Sequence, residues 1–183
     1  MCRWLHLIFN IIIQLALGIP LEMVHKWWRV GLVYLVGVVA GSLGSSISDP
    51  STFLAGASGG VYAIMAAHLA NVILNWGEME FAWVRAIALG FVAISDVANA
   101  IVERYQGKTN RISYAAHIAG ALAGLLIGAR VLRNLRVYRW EDILAWVFFS
   151  IFGMLAGCAV LWNTLYPSYF PAQQCPPYNT AST

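Results

Sequence analysis

The chain has 183 residues, 60% of them hydrophobic and 10% charged, with eight each of Trp, Tyr and Phe, whereas a soluble domain carries roughly 25% charged residues. An ordinary soluble domain and a disordered chain are both excluded. The formal net charge of +3 is too small and too scattered for nucleic acid to be a partner, and the solvent this composition implies is a lipid bilayer.

A helix needs about 20 mostly apolar residues to cross a bilayer. Six segments qualify, at about 4–24, 30–47, 58–76, 81–102, 112–131 and 143–165. The opening stretch has one Arg before its apolar run and no small-residue cleavage site after it, so it reads as a retained helix. The breaks are EMVHKWWR, SISDPST, GEME, ERYQGKTNR and RNLRVYRWED, each marked by charge, Pro or Gly. The expected fold is an all-α polytopic membrane protein with six transmembrane helices within residues 1–166. A polar, Pro-rich tail at 167–183 is expected to be disordered.

Loops on one side hold seven cations, Lys26, Arg29, Arg85, Arg130, Arg133, Arg136 and Arg139, against four on the other, Arg3, Arg104, Lys108 and Arg111. The positive-inside rule makes the first side cytoplasmic and both termini external or luminal. Trp4, Trp27, Trp28, Trp76, Trp83 and Trp140 sit at span ends, as an aromatic belt requires. His25, beside Lys26, is expected at the headgroups, and Glu141 and Asp142 as solvated boundary residues. Small residues recur at helix-packing spacing: Gly37 and Gly41, then Ala116, Gly120, Gly124 and Gly128, then Gly153 and Gly157. Cys2, Cys158 and Cys175 are too far apart for a C-x-x-C site and odd in number, so no disulfide framework, metal or cofactor is implied.

Polar groups inside spans are costly and mark candidate sites. GASGG at Gly56 to Gly60 puts Ser58 at the outer N-terminal end of the third span, where the positive helix end favours developing negative charge. The flanking glycines Gly56 and Gly59 let a substrate backbone approach. The match to G-x-S-x-G of α/β-hydrolases is spurious, because no strand precedes it. His117 lies a few residues into the fifth span from the same side and can act as general base, or can simply pack. His6 and Asn10, at i and i+4, share a face of the first span and can donate to an oxyanion or join helices. Tyr62 lies one turn below Ser58, suited either to support the imidazole or to pack. His68 is ten residues from Ser58, roughly 15 Å along the helix, too far to be its base. Asp96, near the outer end of the fourth span, suits a structural hydrogen bond better than a third triad place. The orientation derived from charge puts Ser58, His117 and the His6/Asn10 pair at the outer ends of three spans.

These residues resemble the rhomboid intramembrane serine proteases, and within them the animal secretase type. HLIFN at His6 to Asn10 resembles the family's H-x-x-x-N, GASG at Gly56 to Gly59 its G-x-S-G, and AHIAGALAG from Ala116 to Gly124 its A-H-x-x-G-x-x-x-G. The span at 143–165 resembles the extra C-terminal helix of the six-plus-one type. The resemblance implies a rhomboid-like bundle with a Ser58/His117 dyad and an oxyanion site from His6, Asn10 and the Ser58 N–H. It further implies that Tyr62 stacks on His117 and that Gly120 and Gly124 let the two catalytic helices touch. Substrates implied are single-pass transmembrane proteins, cleaved near the outer end of their span in the secretory pathway or plasma membrane. Family members begin with a helix and a Trp-Arg loop before the H-x-x-x-N helix; Met1 falls just ahead of His6, so both are expected to be missing. The competing expectation is an inactive form that binds transmembrane clients or competes with full-length enzyme. A transporter would want inverted repeats or a charged midplane path, and neither is present.

Overall fold

The computed structural model describes residues 2–48, 57–105, 114–132 and 138–166, except for the side chains at 2–6, 9, 99, 100, 103 and 104. The expected tail at 167–183 lies outside the described residues. Among the described residues six helices run in order: α1 (Cys2–His25), α2 (Trp27–Ser48), α3 (Ala57–Leu74), α4 (Ala82–Tyr105), α5 (Tyr114–Val131) and α6 (Arg139–Leu165). Each falls on one expected segment. Four of them, α2, α3, α5 and α6, are long and apolar enough to cross a membrane. The other two, α1 and α4, have 24 residues each, about 36 Å of helix. The apolar part of α1 is its shorter stretch Asn10–His25, and α4, though a continuous helix, carries Arg85 and Asp96 along its length.

Side-chain size is distributed as lipid requires and water would not. The buried stripe of α2 is Val30, Val33, Gly37, Gly41 and Ser45, while Leu35 and Val39 face outward. On α5, Ala116, Gly120, Ala123, Gly124 and Gly128 are inside, while Ile118 and Leu122 are out. Lipid tails solvate large apolar side chains well, so helices associate through small residues that bring backbones close.

Those small residues set the register. Gly120 faces Gly59, Gly124 faces Ala63 and Gly128 faces Ala67, so α3 and α5 run parallel and meet once per turn. On α2, Gly37 faces Ala63, Gly41 faces Gly59 and Ala116, and Gly44 faces Ala115 and Ala119, which makes α2 antiparallel to both. These three helices form the core, with Leu21, Val30, Val33, Ile64, Ile127 and Leu132 packed at the end remote from Ser58.

That remote end corrects two expectations. His25 is not at the surface: it is 1% exposed, the last residue of α1. The expected loop shrinks to Lys26, whose φ of 73° reverses the chain in one residue and carries His25 inward. Hydropathy marks where lipid lies, whereas helical hydrogen bonding continues through the headgroups. Glu141 is likewise buried, 4% exposed, because it is the third residue of α6 and accepts a hydrogen bond from the Tyr138 N–H at 3.3 Å. A carboxylate there satisfies a backbone donor and opposes the positive helix end. Asp142 stays exposed and pairs with Arg130 at 3.6 Å, while Arg130 also covers the Trp146 ring, so α6 is held to the end of α5.

Arg29 at the start of α2 donates to the carbonyl of Val131, the last residue of α5, at 2.7 Å. Terminal helix carbonyls lack an intrahelical partner, so this bond serves both helices. Arg29→Met keeps the apolar stem and removes the donor. It is expected to cost about 1.5–3 kcal/mol and to lower the melting temperature of the purified chain in detergent; an unchanged melt would show that the bond contributes nothing.

Candidate active site

Ser58 lies in the first turn of α3 and is 7% exposed. Its neighbour Gly59 is pressed between α2 and α5. A Cβ on Gly59 would stand 2.9 Å from the Gly37 carbonyl oxygen, 3.3 Å from the Gly41 Cα and 3.6 Å from the Ala116 carbonyl oxygen. This contact sets His117, the residue after Ala116, at the level of the α3 N-terminus. One turn beyond Ser58, Tyr62 turns its ring onto His117, with centroids 4.3 Å apart and planes 17° from parallel.

A third helix closes the cluster. The Tyr62 hydroxyl donates to Asp96 Oδ2 on α4. That same oxygen lies 4.0 Å from His117 Nδ1, with the imidazole 12% and the carboxylate 48% exposed. The imidazole is therefore covered on one face by Tyr62 and flanked on one edge by a carboxylate. Such a ring can take a proton from a nearby hydroxyl and return it to a leaving group.

Of the sequence-derived site residues, Gly59, Tyr62, His117, Gly120 and Gly124 lie on the touching faces of α3 and α5, and Ser58 is buried beside Gly59. Asn10 is half-buried on α1, which packs on α2 and α3. The His6 side chain and Gly56 lie outside the described residues. His68 stays on α3, partly buried, its Nδ1 without a hydrogen-bond partner among the described residues. Asp96 makes the structural hydrogen bond the sequence suggested, accepting from Tyr62, and the same oxygen also lies beside His117. The available signal was a carboxylate within an apolar span, but which helices it would reach depends on how α4 packs. No group of three or more His, Cys, Asp or Glu able to hold a metal occurs among the described residues.

Fold and site together define a polytopic helical membrane protein with a serine, a histidine and a carboxylate gathered toward one end of its core. Residues 2–134 match the model of the Rhomboid domain, and the chain belongs to the rhomboid family. It is 44% identical to Rhomboid-related protein 1 of Caenorhabditis elegans over 157 residues, 85% of this chain and 44% of that protein. It is also 44% identical to Rhomboid-related protein 2 of Mus musculus over 162 residues, 86% of this chain and 54% of that protein. Inactive rhomboid-related protein 2 of Caenorhabditis elegans is 35% identical over 158 residues, 85% of this chain and 45% of that protein. The chain thus spans about half the length of the curated relatives it matches. Relatives named as serine proteases and as inactive both occur, so the family holds both kinds.

Proposed function

We propose that the chain is a rhomboid-type serine endopeptidase that cleaves single-pass transmembrane proteins near the outer or luminal end of their span. The observation that carries this reading is the Tyr62 ring stacked on His117, one turn from Ser58, in a chain of the rhomboid family. Ser58 Oγ attacks the scissile carbonyl carbon, and its proton passes to His117 as the new bond forms. The carbonyl oxygen becomes an oxyanion, received by the Ser58 N–H, His6 and Asn10. His117 returns the proton to the amine as the C–N bond breaks; water then enters by the same route and releases the acyl group. Gly56 gives the substrate backbone room to approach, whereas Gly59, expected to do the same, is taken up by the close packing of α2 and α5. The excess of Lys and Arg at the remote end supports a cytoplasmic placement of that end, so cleavage falls on the external or luminal side.

A second reading, an inactive binder of transmembrane clients, is favoured by one observation, the 35% identity to a relative named inactive. The purified chain in liposomes, exposed to a fluorophosphonate probe and to a single-pass substrate with helix-unwinding residues near its outer end, separates the two. Labelling and cleavage that both vanish in Ser58→Ala support the protease. Substrate that co-purifies uncut with an unlabelled chain supports the binder.

A further inference from the structure

We propose that Asp96 is the positioning residue for His117, orienting the imidazole through Tyr62 and stabilising the positive charge the ring carries while it holds the Ser58 proton. This rests on the protease reading above. A single oxygen makes both contacts: Asp96 Oδ2 accepts from the Tyr62 hydroxyl and lies 4.0 Å from His117 Nδ1. The two contacts constrain different motions. Stacking at 4.3 Å fixes the plane of the imidazole but leaves it free to turn within that plane. A carboxylate at the Nδ1 edge opposes that rotation once the ring is charged, and so favours Nε2 turned away from α4.

The 4.0 Å separation exceeds a hydrogen bond. The neutral ring therefore gains little from Asp96, whereas the imidazolium gains a charge–charge attraction, moderated by the half-exposed carboxylate. The proton Ser58 gives up remains on His117 until the leaving amine takes it. Stabilisation that appears only as charge develops acts on kcat and not on substrate binding. Placement of Asp96 points the same way. Its helix exposes Ile87, Phe91, Ile94 and Val97 to the surroundings and buries only Ala82 and Leu89 among its described residues. A carboxylate on a helix whose outward face is this apolar is costly without a partner that needs it.

The test is the kinetics of substrate cleavage and fluorophosphonate labelling by the full chain and its Asp96→Asn, Asp96→Glu and Tyr62→Phe variants. Asp96→Asn keeps an acceptor for Tyr62 but has no charge. Its kcat is expected to fall about 10- to 100-fold, less than in a hydrogen-bonded triad because of the longer distance, with KM and melting temperature unchanged. Asp96→Glu is expected to recover part of the loss, and Tyr62→Phe to lower kcat without adding fully to Asp96→Asn. If Asp96→Asn does not fold, Tyr62→Phe decides alone: a kcat loss at constant KM supports the role and wild-type kcat overturns it. Wild-type kcat in Asp96→Asn, or a loss confined to KM or stability, overturns the positioning role while Ser58-dependent labelling leaves the protease intact. Labelling that persists in Ser58→Ala overturns both.

Discussion

His117→Ala lowers the rate of fluorophosphonate labelling at Ser58 by about 10²- to 10⁴-fold, the range general-base assistance supplies, and Ser58→Ala abolishes labelling altogether. Ser58 Oγ is a weak nucleophile without a base, so the two changes strike one step and do not add. The double variant is expected to match Ser58→Ala. Neither substitution should remove the chain from the membrane, because the backbone contacts of α3 with α5 at Gly59, Ala63 and Ala67 remain when the His117 ring is lost from its stack on Tyr62. The measurement is the second-order labelling rate in liposomes, with circular dichroism of each variant as control. A Ser58→Ala chain that labels at the wild-type rate would sink the assignment of the nucleophile.

The second large effect is steric. A Cβ on Gly120 would stand 2.9 Å from the Gly59 Cα and carbonyl carbon, and one on Gly124 2.5 Å from the Ala63 Cα. Both obstacles are backbone, so no side-chain rotation relieves them and α3 and α5 must separate. Overpacking of this kind costs about 1–3 kcal/mol. The functional loss exceeds the stability loss, since misplacing reacting groups by about 1 Å can cost on the order of 10²-fold in rate. Gly120→Ala and Gly124→Ala are therefore expected to lower the melting temperature in detergent and to reduce labelling by about 100-fold. Gly153→Ala and Gly157→Ala supply the control: a Cβ there meets nothing within 4 Å, and both measurements should stay at wild-type values. Equal effects at all four positions would show that the loss does not come from close approach of α3 and α5, since Ala for Gly by itself favours the helix.

The contrast between these two glycine pairs shows how far the sequence could be read. Gly120-x-x-x-Gly124 and Gly153-x-x-x-Gly157 carry the same spacing. The first lies against the backbone of α3; the second faces open space on α6, a helix whose apolar window is 6% buried. Small-residue spacing permits a close helix crossing, but which helix comes to meet it depends on the rotation and partners of every other helix. Glu141 and His25 were misjudged for a related reason. Their exposure was inferred from neighbouring charges in the chain, while Lys26 at positive φ and the capping contact to Tyr138 turn both inward.

The sequence by itself determined the class of molecule, the number and order of its helices, and the serine and histidine worth testing. These depend on composition, hydropathy and local motif, which each segment carries without reference to the others. The stacking of Tyr62 on His117 and the contact of α3 with α5 were expected from the resemblance and are found; the tertiary structure alone decided their one-turn register and that Asp96 reaches both rings. Those facts are properties of pairs of helices. A bilayer orients each helix through its own hydropathy, but only packing fixes the rotation and depth at which polar side chains from three helices come within 4.0–4.3 Å of one another.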